Sequence, residues 1–538
     1  MNKLFTQLVE KRHLDDSFLH PKYENLIDPY KLPDMDKAVN RIKQALVSQE
    51  RILIYGDYDV DGVTASTLME NALKLAGANP DHLEIMLPDR FVDGYGMSPR
   101  LVNHAKTDKI NLVITVDCGS RNHEIIDALR AAKVDTIVTD HHECGDTLPN
   151  AVAIINPKRP DYAGPVTLKD LAGVGVAFKV AQALVGQGLI PAGQEKWLLD
   201  LVLLGTICDS MQLTGENRIL TYFGLKVLEK TRRPGLQELI RTAKTTHLNS
   251  EAVGFQLGPR LNAAGRLETA EFALNLLRTD SAATAASLAA KLEELNTKRR
   301  TEQRAATAEI AARDLDPATP VIIETGDWNE GIIGIVAGRL VENYHKPAFV
   351  LTTTEDGTLK GSGRSFGDFS LAAALDYAKD AIIGGGGHAG AAGVRIAPEN
   401  LEAFRTKITE YYHSLHLVDQ DRYLKIAPDL TITSLTDFTL DFLDDLSLLE
   451  PFGPGNLEPA FQVTNTDIAL IRRMGAEGQH LRLDIKDTSG KILKLVAFSA
   501  PESWLTLDEY TPHDFLIRPC VNEWNGVRSA EARLLDIL

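Results

Sequence analysis

At 538 residues, 44% hydrophobic and 24% charged, the chain has material for about three or four domains with ample core. The formal net charge of −17 argues against a protein that coats duplex DNA through its overall field, while leaving room for a local basic groove beside acidic metal ligands. Four scattered cysteines (Cys118, Cys144, Cys208, Cys520) include no CxxC pair, which suits a reducing cytoplasm and argues against a disulfide framework and a zinc ribbon. No apolar run approaches the roughly 18 residues that a membrane span needs. The N-terminus, MNKLFTQLVEKRHLDD, has no apolar signal core, so the expected location is the cytoplasm, with no membrane attachment.

Residues 1–48 read as an N-terminal segment of helix and loop punctuated by Pro21, Pro29 and Pro33, with a helix over 35–48. In 49–212, apolar strands at 51–57, 83–87, 111–117, 134–140 and 151–155 are separated by helices near 64–75, 98–106 and 123–132. This alternation predicts a mostly parallel sheet with helices on both faces. Ligands bind such sheets beyond the carboxyl ends of the strands. The first strand runs into GDYDVDG, where Asp57, Asp59 and Asp61 occupy alternate positions. Extended chain would project them to one side, and three adjacent carboxylates repel unless a cation sits between them. Taken alone, the string could be an acidic turn. However, NLVITVDCGS ends at Asp117, VDTIVTDHHE ends at Asp140, His141 and His142, and the helical WLLDLVLLGTICDSM adds Asp209. Aspartate and histidine gathered at one end of a sheet, without thiolates, point to a pair of hard or borderline divalent ions.

GDYDVDG, VDCGS, TDHHE and GTICDSM, in this order, resemble the motifs of the DHH phosphoesterase superfamily. DRFVDGYGMSPR (89–100), LAGVGVAFKVAQAL (171–184) and GPRLNAAGRLETA (258–270) are similar to its RecJ-like branch of single-stranded-DNA-specific exonucleases, and the resemblance extends over residues 50–538. It implies two divalent ions, manganese or magnesium, with Asp117 between them. Asp59 would serve one ion, and Asp61, His141 and Asp209 the other. His142 would support the site or stabilise charge on the phosphate, so His141, His142 and Asp117 are the expected catalytic residues. Tyr55 stands where other branches carry a histidine. Asp57 is the RecJ-like substitute, counted among the metal residues with its direct contact left open.

In the helical region 213–318, the Gly-, Arg- and Asn-rich loop GPRLNAAGRL reads either as a turn between helices or as a phosphate contact. In the second reading Arg260 and Arg266 offer guanidinium forks and Asn262 a polar contact. Residues 281–314 predict one long helix bridging two domains. Asn296 and Arg299 match a pattern of the family, and Gln303 stands where a glutamate is expected.

Residues 319–420 form a second α/β unit, opening with two strands that flank a helix and so pair in parallel. The glycines at 384–387 would let the backbone approach a ligand, with N–H groups offered by a helix that follows. GSGRSF and GGGGHAGAAG resemble the DHH-associated domain that closes over the substrate, which implies phosphate contacts from Ser362, Arg364 and His388. From 421 to 538, short β-like runs separated by turn signals such as DTSGK and NEWNG predict an OB-type barrel for single-stranded nucleic acid. PFGPGNLEP (451–459) matches a family signature except at Leu457, where proline is usual. The chain stops near the end of the barrel, so a further C-terminal domain of some relatives is expected to be absent.

The expected fold is α/β: two α/β lobes joined by a long helix, plus the C-terminal barrel. The resemblance implies a metal-dependent, monomeric 5′-to-3′ exonuclease that degrades single-stranded DNA to 5′-mononucleotides in repair and recombination. A helicase and a single-strand-binding protein are its expected partners. Another DHH enzyme (oligoribonuclease, cyclic-dinucleotide phosphodiesterase or pyrophosphatase) is disfavoured by the long helical insert and the barrel. An inactive scaffold is disfavoured by the intact acidic and histidine motifs.

Overall fold

The computed structural model describes residues 2–94, 96–475, 478–507 and 513–538. Strands β1 (Ile52–Tyr55), β2 (Leu83–Met86), β3 (Leu112–Val116), β4 (Asp135–Thr139) and β5 (Ala153–Ile155) form one parallel sheet in the order β2-β1-β3-β4-β5. Every residue of β1 and β3 is buried, as continuous apolar strands covered on both faces should be. The period of two divides them cleanly between cores. Ile52, Ile54, Leu112 and Ile114 join the large cluster on one face, whereas Leu53, Tyr55 and Val113 join the smaller cluster on the other.

The large core continues into the helical region. The expected loop over 258–267 is instead a helix, Gly258–Leu267, entered through a π-helical turn at Val253–Leu257. The reason is burial: Leu261, Ala263 and Ala264 give this polar-looking segment an apolar face against the core. The long helix, Ala282–Ala311, belongs to two cores. Ala285, Ala289, Leu292 and Leu295 pack in the first, and Ala306 and Ile310 pack against the second lobe.

That lobe is a five-stranded sheet of β6 (Ile322–Gly326), β7 (Ala348–Thr353), β8 (Leu359–Arg364), β9 (Gly384–Gly387) and β10 (Ala391–Ile396), in the order β6-β7-β8-β10-β9. β6 and β7 pair in parallel around the Ile333–Tyr344 helix, and the remaining pairs are antiparallel. The glycine run is therefore an exposed edge strand, and no helix follows it. Ala391–Ile396 alternates buried and exposed residues, a strand pattern that draws the glycines into a hairpin.

At the C-terminus, β11 (Leu430–Ile432) leads to β12 (Phe461–Met474), β13 (His480–Lys486), β14 (Ile492–Ala497), β15 (His513–Trp524) and β16 (Val527–Ile537). The order β12-β13-β14-β16-β15 is joined back through an irregular β12–β15 ladder, and β14 and β16 pair in parallel, an OB-like arrangement. The chain's first helix, Lys3–Lys11, sends Leu4, Phe5 and Leu8 into this barrel's core. Arg12 holds Asp429 in a two-bond fork at 2.7 and 2.8 Å. The buried Arg218 donates to the carbonyls of Leu448, Leu449 and Phe18 and so ties the barrel's approach segment to the helical region. No helix of the described residues is long and apolar enough to cross a membrane.

Candidate active site

The first acidic motif reaches its geometry differently from the alternation its spacing suggests. β1 ends at Tyr55, Asp57 lies in the turn, Asp59 caps the Val60–Leu75 helix, and Asp61 stands within that helix's first turn. Asp59 Oδ1 accepts from the Gly62 amide at 3.0 Å. An aspartate that satisfies a free amide at a helix start outweighs continued extension, so the three carboxylates meet around a strand-to-helix corner.

Asp117 follows β3 with φ of +60°, a left-handed backbone that costs an ordinary residue about 1 kcal/mol or more and is characteristic of constrained sites. Two helices close on the cluster through glycines. A Cβ at Gly173 would stand 2.5 Å from Asp117 Cβ, and one at Gly205 would stand 2.5 Å from Asp61 Oδ1. Asp61 in turn accepts from the Gly173 and Val174 amides, at 2.6 and 2.9 Å, at the start of the Gly173–Gly186 helix. His141 Nε2 lies 3.1 Å from Asp117 Oδ1, 3.5 Å from Asp209 Oδ2 and 3.8 Å from Asp61 Oδ2.

The side chains fall into two separate triads with ligand atoms within 4.8 Å of one another, namely Asp57, Asp59 and Asp117, and Asp61, His141 and Asp209. A third grouping, Asp117, His141 and His142, overlaps both. Asp57 Oδ1 and Asp117 Oδ1 are buried without a hydrogen-bond partner. Burial, then the charge of Asp59, pushes Asp57 up to about 8 and Asp61 up to about 7. Burial, then Asp61, takes Asp209 to about 8, and burial with four surrounding aspartates holds Asp117 well above the carboxylate range. An uncompensated ionised carboxylate at such depth costs several kcal/mol. Oxygen-rich sets with orphaned acceptors and strained ionisation are what divalent cations relieve, so the residues present fit such ions.

Asp140 is the residue whose role was not assigned from the sequence. Its Oδ1 accepts from the His141 and His142 amides at 2.7 and 3.1 Å and lies 2.9 Å from His142 Nδ1, while its Oδ2 accepts from Ser120 N at 2.9 Å. Burial alone would raise Asp140, but the His142 hydrogen bond and charge hold it below the usual range. Burial likewise lowers His142, yet its Asp140 partner outweighs this and raises it to about 9. His141, by contrast, is pressed down to about 3 by burial and by His142, which leaves its imidazole neutral as a metal ligand requires.

Facing the carboxylates is a cluster of half-buried cations. Arg266 is pushed down to about 10 by burial and then by the positive charges of Arg90, Arg364 and Arg299 around it. None of the four has a carboxylate within 4.0 Å among the described residues. Arg364 Nη1 donates to Ser362 Oγ at 3.1 Å and to Gly363 O at 2.8 Å. Asn262, Arg266 and Arg299 line a cavity of about 710 Å³ that also reaches Cys208 and Ser210 on either side of Asp209. His388 shares a smaller cavity of about 120 Å³ with Asp140 and His142. Arg260 is engaged elsewhere: its Nε contacts Glu293 of the long helix and its Nη1 donates to the Gln256 carbonyl at 2.6 Å. Arg90 was missed although it lies just past β2; the strand-end rule that located the aspartates applies to it equally.

Comparison with known proteins follows the same division of the chain. Residues 51–206 match the DHH family, N-terminal domain; residues 318–414 match the DHHA1 domain; residues 429–536 match the RecJ OB domain. The single-stranded-DNA-specific exonuclease RecJ of Bacillus subtilis (strain 168) is 36% identical over 551 residues, spanning 99% of this chain and 67% of that protein. RecJ of Escherichia coli (strain K12) is 33% identical over 532 residues, spanning 93% of this chain and 89% of the relative. The crystal structure of RecJ in complex with Mn2+ from Thermus thermophilus superimposes with a TM-score of 0.86 at 28% identity, covering 100% of this chain and 76% of that one.

Proposed function

We propose, from the premise that this chain belongs to the RecJ family of single-stranded-DNA-specific exonucleases, that it hydrolyses single-stranded DNA from the 5′ end and releases 5′-mononucleotides. The observation that supports this reading best is the nearness of two largely buried triads of ligands to four arginines that have no carboxylate partner among the described residues. Cation-hungry carboxylates on one wall and guanidinium groups on the other suit a phosphodiester held between ions and protein.

Asp57, Asp59 and Asp117 would hold one divalent ion and Asp61, His141 and Asp209 the second, with Asp117 placed to serve both. When bound, manganese or magnesium supplies a water deprotonated near neutral pH and neutralises charge on the reacting phosphate. The chain's own groups orient the strand. Ser362, Arg364 and His388 receive phosphate oxygens from the side of the second lobe, and Asn262 and Arg266 receive those of following nucleotides. Asp140 holds the His142 ring and keeps it cationic, so His142 adds positive charge where the phosphate becomes more anionic.

The second lobe approaches closely: a Cβ at Gly331 would overlap the Arg266 carbonyl, so the lobe meets the Gly258–Leu267 helix at backbone contact. On this reading the enzyme acts as a monomer in the cytoplasm, during repair and recombination. A helicase supplies its single strands, and a single-strand-binding protein presents them. The four unpaired thiols suit that reducing compartment.

The test is incubation with 5′- and 3′-labelled single-stranded DNA, RNA and duplex, in manganese, magnesium or EDTA. Mononucleotide release from the 5′ end of single strands, abolished by EDTA, is expected. Attack from the 3′ end, or equal cutting of duplex, would sink the proposal.

A further inference from the structure

One large aromatic side chain has no structural reason for where it stands. Phe255 is 80% exposed, whereas the phenylalanines of the cores, such as Phe178 and Phe349, are fully buried. It rides on the π-helical turn Val253–Leu257, an energetically poor form of helix that recurs at functional positions, directly before the Gly258–Leu267 helix. It lines the cavity of about 710 Å³ described above. Its lining includes Asn262, Arg266 and Arg299 of the helical region and Arg518 and Arg533 of the barrel, the last two accompanied by Glu458 and Glu251.

Arg518 pairs at 3.1 Å with Glu458 of the barrel's own lead-in segment, while Arg533 pairs at 3.1 Å with Glu251 of the helical region and so joins barrel to helices beside the cavity. The cavity also reaches Cys208 and Ser210, the sequence neighbours of Asp209, so the aromatic ring lines a space that begins beside the metal-binding cluster. An apolar partner protein would favour a surface whose rim is not lined by cations. Guanidinium groups around an exposed ring instead match a nucleic-acid strand, whose phosphates take the charge while a base takes the ring face.

Resting on the strand reading above, we propose that Phe255 is the stacking platform for one base of the bound single strand, several nucleotides from the cut. The ring holds the strand in register between helices and barrel without reading its sequence, since every base has a π-face.

Phe255→Leu keeps the apolar bulk and removes the ring, and Phe255→Trp keeps a ring. Both full-length variants and the wild type are given single strands with one abasic nucleotide moved along the sequence, and KM is measured in manganese. A parallel series carries one 2-aminopurine, with binding read in the Asp117→Asn background. The wild type should show a narrow window in which the abasic nucleotide raises KM roughly tenfold and 2-aminopurine is quenched. Phe255→Leu should raise KM for the intact strand by a similar factor and lose the window, while Phe255→Trp restores it. The same abasic penalty at the same positions in wild type and Phe255→Leu would overturn the proposal, as would a wild-type KM in Phe255→Leu. If the wild type cuts no single strand at all, the strand reading itself fails, and the stacking assignment falls with it.

Discussion

Two groups of side chains meet the same physical problem with opposite charges: the carboxylates of the first lobe, and arginines drawn from the first lobe (Arg90), the helical region (Arg266, Arg299) and the second lobe (Arg364). In the first, burial and mutual repulsion push Asp57 and Asp209 up to about 8, so at neutral pH these carboxylates lose their charge unless a cation joins them. On the opposing wall, comparable burial and like-charged neighbours push Arg266 down only to about 10, and the guanidinium keeps its charge throughout. Desolvation therefore makes one wall conditional on its ions and leaves the other permanently ready for phosphate. The folds differ to match. A parallel sheet buried on both faces delivers carboxylates from several strand ends into one enclosed point. A mixed sheet with an exposed glycine edge carries Ser362 and Arg364 on a strand that opens toward the cleft.

The strongest way to break this contrast is Asp117→Asn. Asparagine tolerates the left-handed backbone at φ +60°, so the change is chemical rather than conformational. Cleavage should fall on the order of 1,000-fold, because an ion's contribution is worth several kcal/mol. Stability in EDTA should move the other way. Asp117 is held above its usual value by burial and four aspartates, so the metal-free wild type loses stability as pH rises from about 4 toward that raised value. Asp117→Asn removes this loss and should be the more stable of the two at pH 8, with the difference shrinking toward pH 5. Thermal melts in EDTA at pH 5 and pH 8 decide it; a variant less stable than wild type at pH 8 would contradict the conditional wall.

On the permanent wall, Arg364→Ala should lower kcat/KM about 100-fold, from the roughly 1.5–3 kcal/mol carried by hydrogen bonds to charged groups. Arg364→Lys should recover only part of this, since lysine keeps the charge without the planar fork that also reaches Ser362 and Gly363. Full recovery by lysine in steady-state assays would mean that charge alone matters there. A smaller effect is expected one layer out from the ligands. Asp140→Asn leaves the six triad residues in place and removes only the carboxylate that positions His142, so activity should drop about 10- to 100-fold with manganese affinity reduced by no more than that. Isothermal titration alongside the assay separates the two; an unaltered rate would show that His142 orients itself.

Much of this was legible in the chain. Continuous apolar runs announced β1 and β3, and each ended on an acid that proved to lie at the cluster. The 30-residue helix was equally plain from its Ala-, Glu- and Lys-rich composition. Misreadings came where local composition imitates a loop. GPRLNAAGRL carries two glycines and a proline yet folds as helix, because its three buried apolar residues pay for their ordering through contacts distant in sequence. The glycine run at 384–387 lacks side chains and hence any periodicity; its partner strand alone decides that it is β.

By itself, then, the sequence determined which chemical groups arrive at strand ends and in what number, because strand burial and helix capping are written over a few neighbouring residues. Which groups face one another was a matter for the tertiary structure. The pairing of Asp140 with His142 is local, but the meeting of Arg90, Arg266, Arg299 and Arg364 joins residues up to 274 positions apart. Like charges do not attract, so no short-range preference gathers them; only the packing of two lobes on one long helix holds them in place.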